Sequence, residues 1–570
     1  MNKNEWVENF DVAIVGSGAG GMAAAIVAAQ KGLSVVVVEK TQWFGGTTAF
    51  SGGAIWIPNS DHSIKAGVHD SREQTEKYLD HTVGDMVSKE LKDAFLNHGP
   101  EMVRFLEAHS TLRFTPRLEG PDYLSSLPGA AHGGRTLDTI EFDGRLLGGW
   151  FKYLRPPLQV LTLFGGMMVN RKDVDLLVDV MQKPSLKAFL HASKLLTRYA
   201  IDRLRFARGT RLVLGNALAG RLLKGAVDAG VVLIYNAPAR KLLTDEGRVK
   251  GLVVDHEGKE RVINVRKGVV IATGGFGANL QMRQRFIPGP TGDWSMVPQG
   301  NTGDGISMSQ SVGAKLGGPN LNNAFWTPVS IMEKENGDKV RWPHLRMDRP
   351  KPGLIAVNSA AKRFLNESAS YHHFVESMIE SHPVVPCIPT FLICDGQFLK
   401  RYGLGLVRPG GVGRQNFIDR GYLYEGSSLS ELAVSLRLDP IAFQETIARY
   451  NVNASLGVDP EFGKGSTEFN RHYGDPAHKP NPCLRPLETP PYYAVKVYPG
   501  DIGTAHGIKV NSFAQALDSQ NSPIEGLYVV GNDMSSVVSG NYPGAGITLG
   551  PAMTFGYIAA LHMVGTPLAR

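Results

Sequence analysis

Between residues 11 and 39 the chain reads as one unit. The apolar run Asp11-Val-Ala-Ile-Val leads into Gly16-Ser-Gly-Ala-Gly-Gly21, then a small-residue helix through Ala29, then a second apolar run, 34–38, ending at Glu39. Short valine and isoleucine runs suit buried strands, and a glycine turn feeding a helix between two of them makes a βαβ crossover. Gly16 permits the tight turn, Gly18 lets backbone approach a pyrophosphate, and Gly21 allows close helix packing. Glu39 accepts hydrogen bonds from ribose hydroxyls. Ala19 and Gly20, at the helix start, and Lys40, beside the acid, are counted with the cofactor contacts. The spacing predicts an α/β protein that begins with a dinucleotide-binding, Rossmann-like element.

A second cluster follows at once, Gly45-Gly-Thr-Thr-Ala-Phe-Ser-Gly-Gly-Ala-Ile-Trp56. A simple doubly wound NAD enzyme has no obvious use for it, whereas an extended FAD needs amides and hydroxyls along its ribityl chain and ring edge. Gly45, Gly46, Thr47 and Thr48 are expected contacts, and Ser51, Gly52 and Gly53 would bring backbone close to the flavin ring. The pattern resumes far downstream. Residues 240–254 read as a hairpin about Asp245-Glu-Gly, with Ala239 at its start, and residues 268–275 as a strand entering a turn at Thr273 and Gly274. A further helix opens around Asp304, and Gly526-Leu-Tyr-Val-Val-Gly-Asn-Asp533 gives a last strand ending at Gly531, Asn532 and Asp533. Asp533 is read as reaching the ribityl hydroxyls or as serving its loop. One FAD domain is thus assembled from widely separated pieces.

That last strand leads into Gly540-Asn-Tyr-Pro-Gly-Ala-Gly-Ile-Thr-Leu-Gly-Pro-Ala-Met-Thr-Phe-Gly556. Tyr542 and the backbone amide of Gly546 are two neutral donors suited to gripping one ketone oxygen. A helix beginning near Thr548 and Leu549 directs free amides at whatever precedes it, and the pyrimidine edge of a reduced flavin is a fitting guest. Pro551 falls in the first turn, where its missing amide costs little.

With these motifs in place the chain resembles the flavoprotein family of fumarate reductases and 3-oxosteroid dehydrogenases over most of its length, excluding 145–225. The resemblance implies a discontinuous FAD domain, 1–144, 226–316 and 500–570, interrupted by an inserted α+β substrate domain, 317–499, with the active site between them. Within the family, the succinate dehydrogenase branch carries flavin on a histidine beside the second glycine cluster. This chain has Thr47 and Thr48 there and no histidine in 45–56, so its FAD is expected to be noncovalent. Residues 353–368 match a shared segment after which fumarate reductases supply a proton-shuttling arginine; here Ala369-Ser-Tyr-His-His-Phe follows. Loss of that arginine weakens the case for a small diacid.

Tyr371 resembles the tyrosine that 3-oxosteroid 1-dehydrogenases use as base. Tyr542 and Gly546 resemble their ketone-binding pair, and Tyr123 resembles their helper tyrosine. Removing the proton beside a ketone builds charge on the ketone oxygen, and donors fixed there favour the transition state. Tyr371 must work as a phenolate against a reference pKa of about 10, which requires neighbouring donors. His372 and His373 are read as structural, with at most one facing the site. The reaction implied is 1,2-desaturation of a 3-oxosteroid. Desaturation of a 5α-steroid between carbons 4 and 5, reduction of an unsaturated acid, and a role as a mere electron carrier stand as alternatives.

At 570 residues two domains are expected. Cys387, Cys394 and Cys483 form neither a disulfide framework nor a metal motif; they read as buried apolar side chains and suit a cytoplasmic setting, with no metal. The start carries no apolar run of a secretory signal, and no stretch is long enough to span a bilayer.

The net charge of +7 hides an asymmetry: 145–225 holds 15 Lys or Arg against 4 Asp or Glu, leaving 45 against 49 elsewhere. So local an excess does not suit a nucleic-acid enzyme. Within it Leu186, Phe189, Leu196, Ala200 and Leu204 separate from Lys187, Lys194, Arg198 and Arg205 at a helical period, and 158–169 is apolar enough to dip into lipid. The segment 145–225 is read as a basic amphipathic insertion, through which peripheral attachment to the anionic inner face of the cell membrane is expected. An external acceptor is expected to take the electrons.

Overall fold

The opening unit forms as expected, as strand Val7–Val15, helix Ala19–Gln30 and strand Val35–Val38, in a computed structural model that describes residues 7–182, 185–287 and 289–566. Val232–Ile234, Val35–Val38, Val7–Val15 and Lys259–Ile271 lie side by side and parallel. Lys259–Ile271 is longer than the strand read at 268–275. Its first half pairs with Arg248–His256, the inner strand of a hairpin whose other strand is Ala239–Asp245, and its second half runs parallel to Pro523–Val529. Val12 to Val15, Val35 to Val38 and Val269 to Ile271 are almost fully buried, which is why these runs are continuously apolar rather than alternating. Their carboxyl ends share one edge, where ligands of open α/β sheets bind.

The last helix, Leu549–Val564, crosses directly over Ala19–Gln30. A Cβ on Gly20 would stand 2.8 Å from the Ala552 carbonyl oxygen, and one on Gly556 would stand 2.3 Å from that of Gly20. Glycines at both crossing points are what let the C-terminal helix aim its N-terminus at the same edge as the dinucleotide turn.

The second domain is an antiparallel sheet built around Tyr492–Thr504. That strand pairs with Ala324–Glu333, Thr390–Asp395 and Leu423–Gly426, and Leu354–Val357 and Lys339–Pro343 extend the sheet. Helices Leu429–Leu436 and Pro440–Ser455 bury Leu432, Phe443 and Tyr450 against Ile355, Val357 and Ile393. Helix Tyr371–Ser381 packs on Ala324–Glu333 through Phe374, Val375 and Met378. The boundary expected at 499 falls inside Tyr492–Thr504, where Thr504 still pairs with Ala324. Asp501, on the same strand, is fully buried against Arg283 of helix Leu280–Phe286, so this strand ties the two domains together.

Residues 145–225 also divide differently from the sequence reading. The end is not an insertion: helix Leu214–Asp228 is largely buried against Ala19–Gln30, and Gly53 approaches its first turn too closely for any side chain. The stretch 158–169 does not form a dipping segment either. It is a short turn, Gln159–Leu161, followed by the paired strands Thr162–Leu163 and Met167–Met168, with the methionines buried and Phe164 exposed at the tip.

Helix Leu186–Arg203 forms, but the face it buries is a seam of Ala188, Ala192, Leu195 and Asp202. Leu186, Phe189, Leu196, Ala200 and Leu204, the apolar set, face solvent, joined by Leu190 and Ile201. Of the basic set, Lys187, Lys194 and Arg205 are exposed, whereas Arg198 turns to Glu141 and Asp143.

Candidate active site

One cavity runs from the glycine turn, along the sheet edge, to the second domain. Gly16 adopts φ +102°, and a Cβ there would strike the Ala272 carbonyl at 2.3 Å; Gly18 meets nothing nearer than the Thr48 hydroxyl at 3.9 Å. The first glycine thus makes the turn and the second leaves the helix start bare. Gly16, Gly18, Ala19, Gly20, Glu39, Lys40, Gly46, Thr47, Thr48, Ser51, Gly52 and Gly53 line the cavity. So do Ala239, Thr273, Gly274, Asp304, Gly531, Asn532, Gly546, Thr548 and Leu549. Glu39 accepts from the Ser17 hydroxyl at 2.6 Å and from the Thr41 amide at 2.9 Å, which fixes its carboxylate at the strand end. Lys40 bridges Thr302 and Asp304 at 2.7 and 2.6 Å.

Three expected contacts stand behind the wall instead. Gly21 packs its helix against Gly16, where a Cβ would lie 2.4 Å from the carbonyl. Gly45, at φ +116°, donates its amide to the Ser17 hydroxyl at 3.0 Å. Asp533 is fully buried and accepts from the amides of Thr273, Gly274 and Gly275 and from the Thr273 hydroxyl. That uses all its lone-pair positions, so of the two roles read for it the loop role is the one built. Burial pushes its pKa up, against the pull of those donors.

At the far end three tyrosines close on one another. Tyr371 is the first residue of helix Tyr371–Ser381, placed by Ser370, whose hydroxyl accepts from the His373 amide at 3.2 Å. Tyr123 comes from the loop after strand Phe114–Pro116, and its amide donates to the Pro543 carbonyl at 2.8 Å, tying it to the Tyr542 segment. The Tyr123 hydroxyl donates to that of Tyr371 at 3.1 Å. Ring centroids of Tyr123 and Tyr542 lie 5.4 Å apart, stacked, and those of Tyr371 and Tyr542 lie 5.1 Å apart, edge to face. Pairs of this kind contribute about 0.5–1.5 kcal/mol each beyond buried area, so the cluster is rigid.

Gly546 has φ +96°, and a Cβ on it would stand 2.6 Å from the backbone of Ile55. Its carbonyl accepts from the Trp56 amide at 3.1 Å, while its own amide, on the cavity wall, donates to nothing among the described residues. A backbone donor left open on a pocket wall is a place for a ligand oxygen. Of the paired histidines, His372 is the inward one. Its Nδ1 accepts from the Trp326 amide at 3.1 Å and its ring lies 5.8 Å from Tyr542.

Burial pushes the pKa of each tyrosine up; for Tyr371 the effect is large, and negative charge on neighbouring Tyr123 or Tyr542 would add to it. The positive charge of Arg346 pulls all three down. Arg346 was not legible as a site residue, and neither were Arg155 or Arg349. Arg155 lines the cavity, its Nη2 donates to the Thr41 hydroxyl at 2.9 Å, and its buried Nε has no partner among the described residues. Arg349 donates to the carbonyls of His344, Leu345, Glu367 and Ala369, clamping the cavity wall to the turn before Tyr371. Leu158 and Leu161, from the segment read as lipid-dipping, form apolar wall beside Phe50, Pro343 and Leu345.

The bare helix start, the glycine-lined wall and the fixed acid at the strand end fit an extended FAD. No histidine is among the described residues that line the cavity.

Residues 11–549 match the family model of the FAD binding domain. The chain is 38% identical to a 4-oxocyclohex-2-ene-1-carboxylate 5-dehydrogenase of Sinomonas cyclohexanicum, over 98% of this chain and 94% of that one. It is also 38% identical to a 3-oxosteroid 1-dehydrogenase of Mycobacterium tuberculosis, over 98% of both. Among solved structures, the 3-ketosteroid Δ1-dehydrogenase of Sterolibacterium denitrificans, in complex with 1,4-androstadiene-3,17-dione, superposes with a TM-score of 0.91 at 38% identity. That match covers 98% of this chain and 100% of the other.

Proposed function

We propose that this chain, which belongs to the FAD-binding-domain flavoproteins and within them to the 3-oxosteroid 1-dehydrogenases, desaturates the oxo-bearing ring of a 3-oxosteroid between carbons 1 and 2. The observation that carries the reading is the tyrosine cluster: a hydroxyl pair 3.1 Å apart and a third ring packed on both, beside an open backbone amide. Tyr542 and the Gly546 amide donate to the 3-oxo group. Tyr371 takes the proton from carbon 2, and Tyr123, donating to it, stabilises the phenolate that the task needs. Negative charge then builds on the oxygen between two fixed donors, which favours the enolate-like transition state over the ground state. Bound FAD supplies the acceptor for the hydride that leaves carbon 1. An external acceptor then takes the electrons.

A second reading changes the substrate and keeps the chemistry. The Sinomonas relative is named for a cyclohexenone that carries a carboxylate, and such a ring presents the same ketone and the same acidic carbon. The FAD-loaded protein, assayed with androst-4-ene-3,17-dione and with 4-oxocyclohex-2-ene-1-carboxylate, separates the two. A kcat/KM at least tenfold higher for the steroid, with the 1,4-diene as product, supports the first reading; the reverse order selects the second.

Helix Leu186–Arg203 supports a further part of the proposal, attachment to an anionic membrane surface on the cytoplasmic side. Leu186 and Leu204 are 75% and 83% exposed, and Phe189, Leu190 and Ile201 share their face. Lys187, Lys194, Arg203 and Arg205 flank them, exposed. No helix among the described residues is long and apolar enough to cross a membrane. A helix with an apolar face outward and cations at its flanks lies in an interface instead, gaining about 1 kcal/mol per nearby cation.

A further inference from the structure

A cation without a counter-charge stands beside the proposed base. Arg346 lines the cavity in the loop after strand Lys339–Pro343. Its Nη1 donates to the Tyr473 hydroxyl at 2.7 Å, and its guanidinium lies 4.9 Å over that ring. Among the described residues no carboxylate pairs with it. The other cations near the tyrosines are already committed: Arg117 to both oxygens of Asp138, and Arg349 to four carbonyls. Arg346 is half-buried, and even partial withdrawal of a charge from water is costly unless something of opposite sign meets it. No fixed anion of this kind is built here.

The geometry supplies a transient one. Tyr473 packs edge to face on Phe469 at 4.9 Å, Phe469 packs on Tyr123 at 4.9 Å, and Tyr123 donates to Tyr371. A phenolate on either oxygen of that pair is stabilised by the bond donated from the other. The groups around the pair are Tyr542, His372 with Glu376 3.5 Å from its Nε2, Tyr473, Arg117 balanced by Asp138, Arg349, and Arg346. For Tyr123, Arg346 is the leading influence that opposes burial.

We propose that Arg346 is a positioning residue for the base, its charge holding the Tyr371–Tyr123 pair in a shared phenolate form and so setting the pH above which the pocket removes a proton. The proposal rests on Tyr371 being the base.

The test uses FAD-loaded protein carrying Arg346→Met, with Arg346→Gln in reserve should Met disturb folding, and Arg346→Lys as the conservative variant. Tyrosinate absorbance is titrated without substrate, each protein read against its own Tyr371→Phe partner. We expect Arg346→Met to move the midpoint up by at least one pH unit and Arg346→Lys to restore most of it. The acidic limb of kcat/KM should move equally, so that a loss of tenfold or more at neutral pH is recovered at high pH. An unmoved midpoint overturns the proposal, as does a loss equal at every pH. A raised KM for the carboxylate substrate with an unmoved midpoint overturns it in favour of substrate anchoring. Because the titration needs no substrate, a shifted midpoint without steroid turnover supports the role of Arg346 and counts against the steroid alone.

Discussion

In the proposed reaction Tyr542 and Gly546 grip one oxygen from two sides, and they differ in what a substitution does. Tyr542→Phe keeps the ring stack on Tyr123 and Tyr371 and removes one donor. Turnover is expected to fall by 10²–10³-fold, corresponding to ~2.7–4 kcal/mol, with flavin content unchanged; a loss under tenfold contradicts the ketone role. Gly546→Ala forces a Cβ into the Ile55 backbone at φ +96°, displacing the amide itself, and both turnover and FAD retention are expected to drop.

These residues were legible because each sits in a short motif or next to one, with the spacing on view. Arg155, Arg346 and Arg349 were not. Their importance comes from partners far away in the chain, Thr41, Tyr473 and Ala369, and nothing local in the sequence announces an arginine without a carboxylate. Asp533 shows the converse: its motif was on view, but whether its carboxylate faced the cavity or the turn depended on the amides of Thr273, Gly274 and Gly275.

At the scale of elements, helix Leu186–Arg203 shows where periodicity stops informing. The separation of apolar and basic residues was plain, yet the ordinary expectation puts the apolar side inward. Small residues decide otherwise, because Ala188 and Ala192 let the helix seat closely and leave the large side chains outside. Replacing Phe189 and Leu204 by Ser together should abolish co-sedimentation with anionic liposomes at low salt, while the melting temperature stays within a degree or two. Equal sedimentation of variant and parent contradicts the attachment.

Strand Tyr492–Thr504 carries the opposite kind of burden. Asp501 is wholly buried with Arg283, so Arg283→Met strands a carboxylate and should cost ~3–5 kcal/mol, read as a lowered midpoint in denaturant. The sequence reading ended the domain inside this strand because a run that ties two domains has no break in its pattern.

Over the whole molecule, the glycine turns, the sheet strands and the C-terminal helix were readable because dinucleotide binding imposes residue types at fixed offsets. How the second domain closes the cavity was not readable, since it depends on a sheet whose strands come from residues 324 to 504. The consequence is that the glycine-lined wall is built on the first domain, whereas Tyr371, the proposed base, and Arg346 come from the second. Binding of FAD and proton removal should therefore separate by mutation.

The most direct test is anaerobic mixing of FAD-loaded wild type and Tyr371→Phe with androst-4-ene-3,17-dione, following flavin absorbance and product. The wild type should bleach and yield the 1,4-diene, and the variant, with its flavin spectrum intact, should bleach at least 10²-fold more slowly. Equal rates, or bleaching by the 5α-saturated analogue alone, would contradict the assignment of Tyr371 as the base for 1,2-desaturation.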